Sequence, residues 1–154
     1  MSEAIEATTR SREETEALGE RIGRAARAGE VIALWGELGA GKTTFVRGIA
    51  AGLGIPPREV TSPTFIIVHE HEGGRLPLFH IDMYRVSPAE TGSIGWEEAL
   101  ASGGVTAIEW PDRVERSLPP DRIDVRIDPA GGGERRIQIT PTGAAASLTV
   151  RAAA

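Results

Sequence analysis

Residues 36–44 read "GELGAGKTT", with glycines at 36, 39 and 41 running into Lys42, Thr43 and Thr44. Gly36, Gly41, Lys42 and Thr43 fill every fixed position of G-x-x-x-x-G-K-[ST], and Glu37, Leu38, Gly39 and Ala40 lie between. Glycines here let backbone N–H groups turn inward around a phosphate, and a helix starting at Lys42 adds the positive end of its dipole. Lys42 is then in reach of β- and γ-phosphate oxygens, while the Thr43 hydroxyl is offered to Mg²⁺. Of seventeen basic residues, only Lys42 is a lysine. A compact ammonium on a flexible stem suits such a loop better than a planar guanidinium.

A magnesium–nucleotide site also needs acids. Two apolar runs, "LFHID" and "VTAIE", end in Asp82 and Glu109. In an open α/β sheet, ligands sit beyond the carboxyl ends of the parallel strands, which is where a loop following a strand also lies. Lys42, Asp82 and Glu109 are therefore the expected catalytic set, and Thr43, Asp82 and Glu109 the expected metal set. Acids at strand ends also begin turns, and either residue alone would fit that role. Thr61, Ser62 and Thr64 in "VTSPTF" put hydroxyls in a segment suited to a switch-like loop over a γ-phosphate, although Ser-Pro-Thr is equally ordinary turn chemistry. Three histidines, His69, His71 and His80, fall in the hairpin; His69 and His71 have the spacing of a metal pair without a third ligand, and a solvated sheet face is expected. Trp35 and Trp110 adjoin these residues. Each could stack on a base, shield the site or belong to the core.

Elements must position these groups. Ser11 and Glu14 form a capping-box pattern opening a helix over about 12–28, ended by Gly29. "VIALW" (31–35) has the character of a buried parallel strand, and the second helix spans 42–53 before Gly54 and Pro56-Pro57. "TFIIVHEH" and "LPLFHIDMY" flank Gly73-Gly74 as a hairpin, so the sheet must be mixed. A short helix over 94–102 leads to the strand "VTAIEW", and "RIDVRID" and "RRIQIT" flank "PAGGGE" as a C-terminal β-hairpin. The alanine-rich stretch from about 141 to 154 is expected to fray. The fold class is α/β, a P-loop NTPase-like three-layer fold with a mixed, mostly parallel sheet.

With 154 residues, 40% apolar and 25% charged, the chain suits one domain with a real core. No cysteine is present, which excludes disulfides and thiolate metal sites. A net charge of −5 argues against gripping nucleic acid unaided, so any contact with RNA is expected only through a partner. The polar, acidic start and the lack of a long apolar run lead to the expectation of a soluble cytoplasmic protein without membrane contact.

"GELGAGKTTFVRG", "VTSPTF", "LFHIDMYR" and "IEWPDR", in this order and spacing, resemble the TsaE family, also called YjeE, over about residues 11–128. The resemblance implies an ATPase with Mg²⁺ and weak intrinsic hydrolysis. It also implies docking on a TsaD–TsaB complex that performs threonylcarbamoyladenosine modification of tRNA. It carries the roles of Lys42, Thr43, Asp82, Glu109 and Trp110 and, by looser alignment, places Ser11 and Arg135 near the nucleotide. The segment 87–96, with Thr91, Gly92 and Ser93, departs from the family's acidic-leucine pattern. An [NT]-K-x-D guanine reader is excluded, because the sole lysine is already in the loop. The alternative is a small-molecule or nucleoside kinase with an arginine lid over 113–122, carrying Arg113, Arg116 and Arg122.

Overall fold

The computed structural model describes residues 4–37, 39–61, 68–86 and 95–154. Strand β1 (Ile5–Thr9) leads into α1 (Arg12–Ala25), β2 (Val31–Trp35), α2 (Lys42–Leu53), β3 (Val68–His71) and β4 (Leu78–Asp82). Then come α3 (Trp96–Leu100), β5 (Val105–Glu109), β6 (Arg122–Gly131), β7 (Glu134–Thr142) and α4 (Ala144–Ala153). The strands form one sheet in the order β1-β7-β6-β2-β5-β4-β3. Its middle, β6-β2-β5-β4, is parallel, while β3, β7 and β1 add antiparallel margins. This is the expected mixed α/β sheet with its C-terminal hairpin.

Alternation along the strands builds two cores. Ile32, Leu34, Leu78, Ala107, Ile123 and Val125 face α1, α2 and α4. Ala33, Phe79, Ile81 and Ile108 face the other way, onto Trp96, Val114 and Leu118.

The start of α1 follows the capping pattern. Ser11 Oγ accepts from Glu14 N at 3.1 Å, and Glu14 Oε1 accepts from Arg10 N at 2.7 Å, so the reciprocal bond lands one residue before the cap. The helix ends at Ala25 rather than 28, because Ala26 is already extended. The guanidinium of Arg75, from the β3–β4 turn, donates to the carbonyls of Gly23, Arg24 and Ala26 at 2.9–3.1 Å and satisfies that helix end.

Two elements differ from expectation. β1 was not anticipated; it pairs with β7 from Ile5↔Ile139 to Thr9↔Arg135. The tail expected to fray is α4. Alanine favours helix intrinsically, and Ala146, Thr149, Val150 and Ala153 recur on one buried face. The Asp121 carboxylate caps it, accepting from Ala145 N at 3.2 Å and Ala146 N at 2.9 Å. Arg21 Nε donates to Ala153 O at 2.8 Å at the far end.

Helices α1 and α2 meet backbone to backbone. A Cβ on Gly19 or Gly23 would overlap the carbonyls of Phe45 and Ile49, and one on Gly48 or Gly52 would overlap those of Glu16 and Glu20. The two i,i+4 glycine pairs interlock, which fixes α2, and with it Lys42 and Thr43, against α1.

Candidate functional site

The loop after β2 depends on two glycines. Gly36 has φ 144° and no room for a Cβ beside the Ile127 carbonyl, and Gly41, the N-cap of α2, has φ 109°. α2 therefore starts at the carboxyl end of β2, under the loop. Leu38 lies outside the described residues; Glu37 is exposed and Ala40 buried.

Strands β4 and β5 bring their terminal acids to the same edge. Asp82 pairs with Glu109 in parallel register, and Leu34 pairs with Glu109 on the other side. Asp82 and Glu109 stand two residues beyond His80 and Ala107 on the same side of their strands, so both lie on the sheet face that α2 covers. Thr43, in the first turn of α2, accordingly donates its hydroxyl to Glu109 Oε2 at 2.9 Å.

Lys42 is only 4% exposed. Its ammonium donates to the Gly36 carbonyl and to Glu37 O, and lies 3.7 Å from the centre of the Trp110 ring. Burial lowers its pKa, while Glu109, Asp82, Asp112 and Glu37 pull the other way. Burial raises the pKa of the half-buried Asp82, offset by Tyr84 N–H donating to Oδ1 at 2.9 Å and reinforced by the charge of Glu109.

Trp110 turns the chain after β5 with φ 59° and ψ 52°, the one non-glycine residue with positive φ among those described. Such a conformation costs a bulky residue about 1–3 kcal/mol and persists only when its surroundings hold it. Here the indole is in contact with both the Lys42 ammonium and the Tyr84 ring, whose centroid is 4.9 Å away. Trp35 points elsewhere, its Nε1 donating to Asp124 Oδ1 at 2.9 Å.

Arg135 braces the loop from β7, donating to Ala40 O at 2.9 Å and Gly39 O at 3.5 Å. Ser11 Oγ caps α1, accepting from Glu14 N. Thr44 opens instead onto a polar cleft with Arg12, Glu13, Glu16 and Arg47. Thr61 is exposed, whereas Ser62, Thr64 and the divergent stretch 87–94 lie outside the described residues. His69 and His71 correct the expectation of a solvated face. Both are half-buried, with Nε2 atoms shielded from solvent, and burial lowers the pKa of His71.

The sequence reading missed His80. It is fully buried, and its Nε2 lies 2.5 Å from Glu109 Oε2, the oxygen that also takes the Thr43 hydroxyl. The available signal was its i,i+2 spacing from Asp82, which puts both on one face of β4.

A family model for "Threonylcarbamoyl adenosine biosynthesis protein TsaE" matches residues 9–137. The chain belongs to the TsaE family. TsaE proteins are components of tRNA threonylcarbamoyladenosine biosynthesis. The TsaE protein of Bacillus subtilis is 44% identical over 131 residues, covering 85% of this chain and 82% of that one. Its Nostoc counterpart is 41% identical over 134 residues, covering 84% and 82%. The crystal structure of Bacillus subtilis YdiB superposes with a TM-score of 0.84 at 35% identity, over 99% of this chain and 95% of that chain. Among the described residues, no helix of this TsaE protein is long and apolar enough to cross a membrane.

Proposed function

We propose that the chain binds ATP with Mg²⁺ between the glycine-rich loop and the carboxyl ends of β4 and β5, and hydrolyses it slowly on its own. We further propose that it serves as an ATP-dependent accessory subunit of a TsaD–TsaB complex acting on tRNA. One observation carries the reading. The Thr43 hydroxyl meets Glu109 at 2.9 Å at the helix end that also bears Lys42, with Asp82 next to Glu109 in register.

The donor set fits Mg²⁺. A hydroxyl and two carboxylates are hard oxygen donors, and Mg²⁺ commonly takes one or two carboxylates and completes its shell with water and substrate phosphates. Among the described residues, no group of three or more His, Cys, Asp or Glu forms a cage of its own. Thr43, Glu109 and Asp82 would hold the ion, which when bound neutralises charge on the phosphate oxygens.

The chain's residues account for the rest. Loop N–H groups and the start of α2 face the β-phosphate, and Lys42 reaches β- and γ-oxygens once it leaves the loop carbonyls. Asp82 keeps Oδ2 for water or metal, since Oδ1 takes the Tyr84 N–H. Its raised pKa makes it a better proton acceptor from water than an exposed aspartate.

Slow turnover follows from how the free protein holds its cations. Lys42 is bonded to its own loop under Trp110. Arg113 donates to Tyr84 O, Arg122 to Asp124 and Pro119 O, and Arg135 to the loop carbonyls. An arginine placed on the transferring phosphoryl group is worth about 10³–10⁵ in rate, so a partner that supplies or releases one has a large lever. The same bonds disfavour a kinase lid over 113–122. Measuring ATP hydrolysis before and after adding TsaD–TsaB tests the proposal. Turnover below roughly 1 s⁻¹ that rises sharply with the partners is expected, whereas fast turnover alone, or turnover that needs a small hydroxylated acceptor, overturns it.

A further inference from the structure

We infer that His80 is a positioning residue for the metal-side carboxylate of this site: its Nε2–H, with the Thr43 hydroxyl, locks the Glu109 carboxylate in the rotation needed to meet Mg²⁺. The inference rests on the Mg²⁺–nucleotide reading above and adds a residue to it.

Both donors converge on one oxygen. Glu109 Oε2 accepts from Thr43 Oγ1 at 2.9 Å and lies 2.5 Å from His80 Nε2. A carboxylate pinned twice through one oxygen cannot spin about its terminal torsion, so Oε1 keeps a fixed direction. The pinning groups are themselves fixed. Thr43 sits in the first turn of a helix seated on α1 by interlocking glycines, and His80 is fully buried in the central part of β4. Strand register sets the distance, because His80 pairs with Ala107 and Asp82 with Glu109, which places the imidazole one pleat behind both acids on their own face. Exposed to nothing but protein, His80 contributes through this contact and not through substrate.

Its role resembles the outer-shell partners of metal ligands, which hold the ligand's orientation and whose loss typically costs about 10–100-fold in metal affinity. An imidazole serves better here than an amide or hydroxyl. It is rigid, is fully buried, and presents one N–H at the ring's far edge.

The test compares ATP affinity in Mg²⁺ with ATP affinity in EDTA, by calorimetry, for the parent, His80→Phe and His80→Gln. Phenylalanine keeps the volume and removes the donor, whereas glutamine keeps an N–H at similar reach. The Phe variant is expected to lose about 10–100-fold of the Mg²⁺-dependent gain while its EDTA affinity stays near the parent's, and the Gln variant to recover most of it. An undiminished gain in His80→Phe overturns the inference and leaves the Mg²⁺–nucleotide reading standing. A parent with no gain overturns both. A variant-independent check comes from long-range ¹H–¹⁵N spectra of the parent: the Nε2–H tautomer of His80 is expected, and a neutral Nδ1–H tautomer contradicts the role.

Discussion

The α1–α2 seam and the acidic end of β4 and β5 lie against the same helix and are built in opposite ways. Along the seam, glycines press on carbonyl oxygens and no side chain is available to adjust. At the sheet end, nearly every contact is a side chain that has alternatives. Lys42 rests on its own loop, Thr43 and His80 share Glu109, and Trp110 is held in a left-handed turn against Tyr84 and Lys42. The seam keeps α2 in place, so that rearrangement at the site need not disturb the fold. Substitutions in the two regions should therefore separate stability from nucleotide binding.

The largest effect is expected at the seam. Gly48→Ala puts a methyl group into the Glu16 carbonyl and must push the helices apart, at a cost of roughly 2–4 kcal/mol, or failure to fold. Thermal denaturation reads this directly, and a variant as stable as the parent would show that the helices can slide. At the site, Lys42→Ala should weaken ATP binding about 10–100-fold through loss of a charge-assisted contact of ~1.5–3 kcal/mol. Its melting temperature should be equal to or above the parent's, because burial of the ammonium opposes folding. The sign is explicit: with a folded-state pKa below the unfolded one, the unfolded chain binds more protons, so the Lys42 penalty is complete at neutral pH and lifts only as pH rises through the lowered folded value.

Smaller effects sharpen the same division. Arg75→Ala removes three bonds to the end of α1 and should cost about 1–2 kcal/mol without changing ATP affinity. Glu30 is buried beside α4, and burial raises its pKa. Its contribution to stability is present below the ordinary glutamate value of 4.5 and is lost as pH rises through the folded value. Glu30→Gln should accordingly raise the melting temperature at neutral pH by a few degrees or less, and flatten its decline above pH 4.5. A lowered melting temperature would assign Glu30 a favourable bond instead.

What could be read from the residues follows the same line. The loop, α2 from Lys42 to Leu53, the strand ends at Asp82 and Glu109 and the hairpin of β6 and β7 were legible, because each is marked by local chemistry: glycines before a lysine, an acid closing an apolar run, or alternation around a turn. β1 was not, since five residues in a polar stretch become a strand only through pairing with β7, more than a hundred positions away. α4 was hidden because its buried face is made of small residues, and the capping carboxylate, Asp121, comes from outside it. The glycines at 19, 23, 48 and 52 share an i,i+4 spacing, the trace of a seam that only tertiary contact completes. His80 was masked by its neighbours, because three histidines in one hairpin invite a surface explanation.

On the proposed reading, Thr43 and Glu109 form a Mg²⁺–nucleotide site separable from the fold. Titrating ATP into the parent and Glu109→Gln, each with Mg²⁺ and with EDTA, tests it most directly. Mg²⁺ is expected to tighten ATP binding to the parent, and Glu109→Gln to lose that gain while keeping the parent's EDTA affinity and melting temperature within a few degrees. ATP binding that ignores Mg²⁺ in the parent, or a Mg²⁺ gain undiminished in Glu109→Gln, would contradict it.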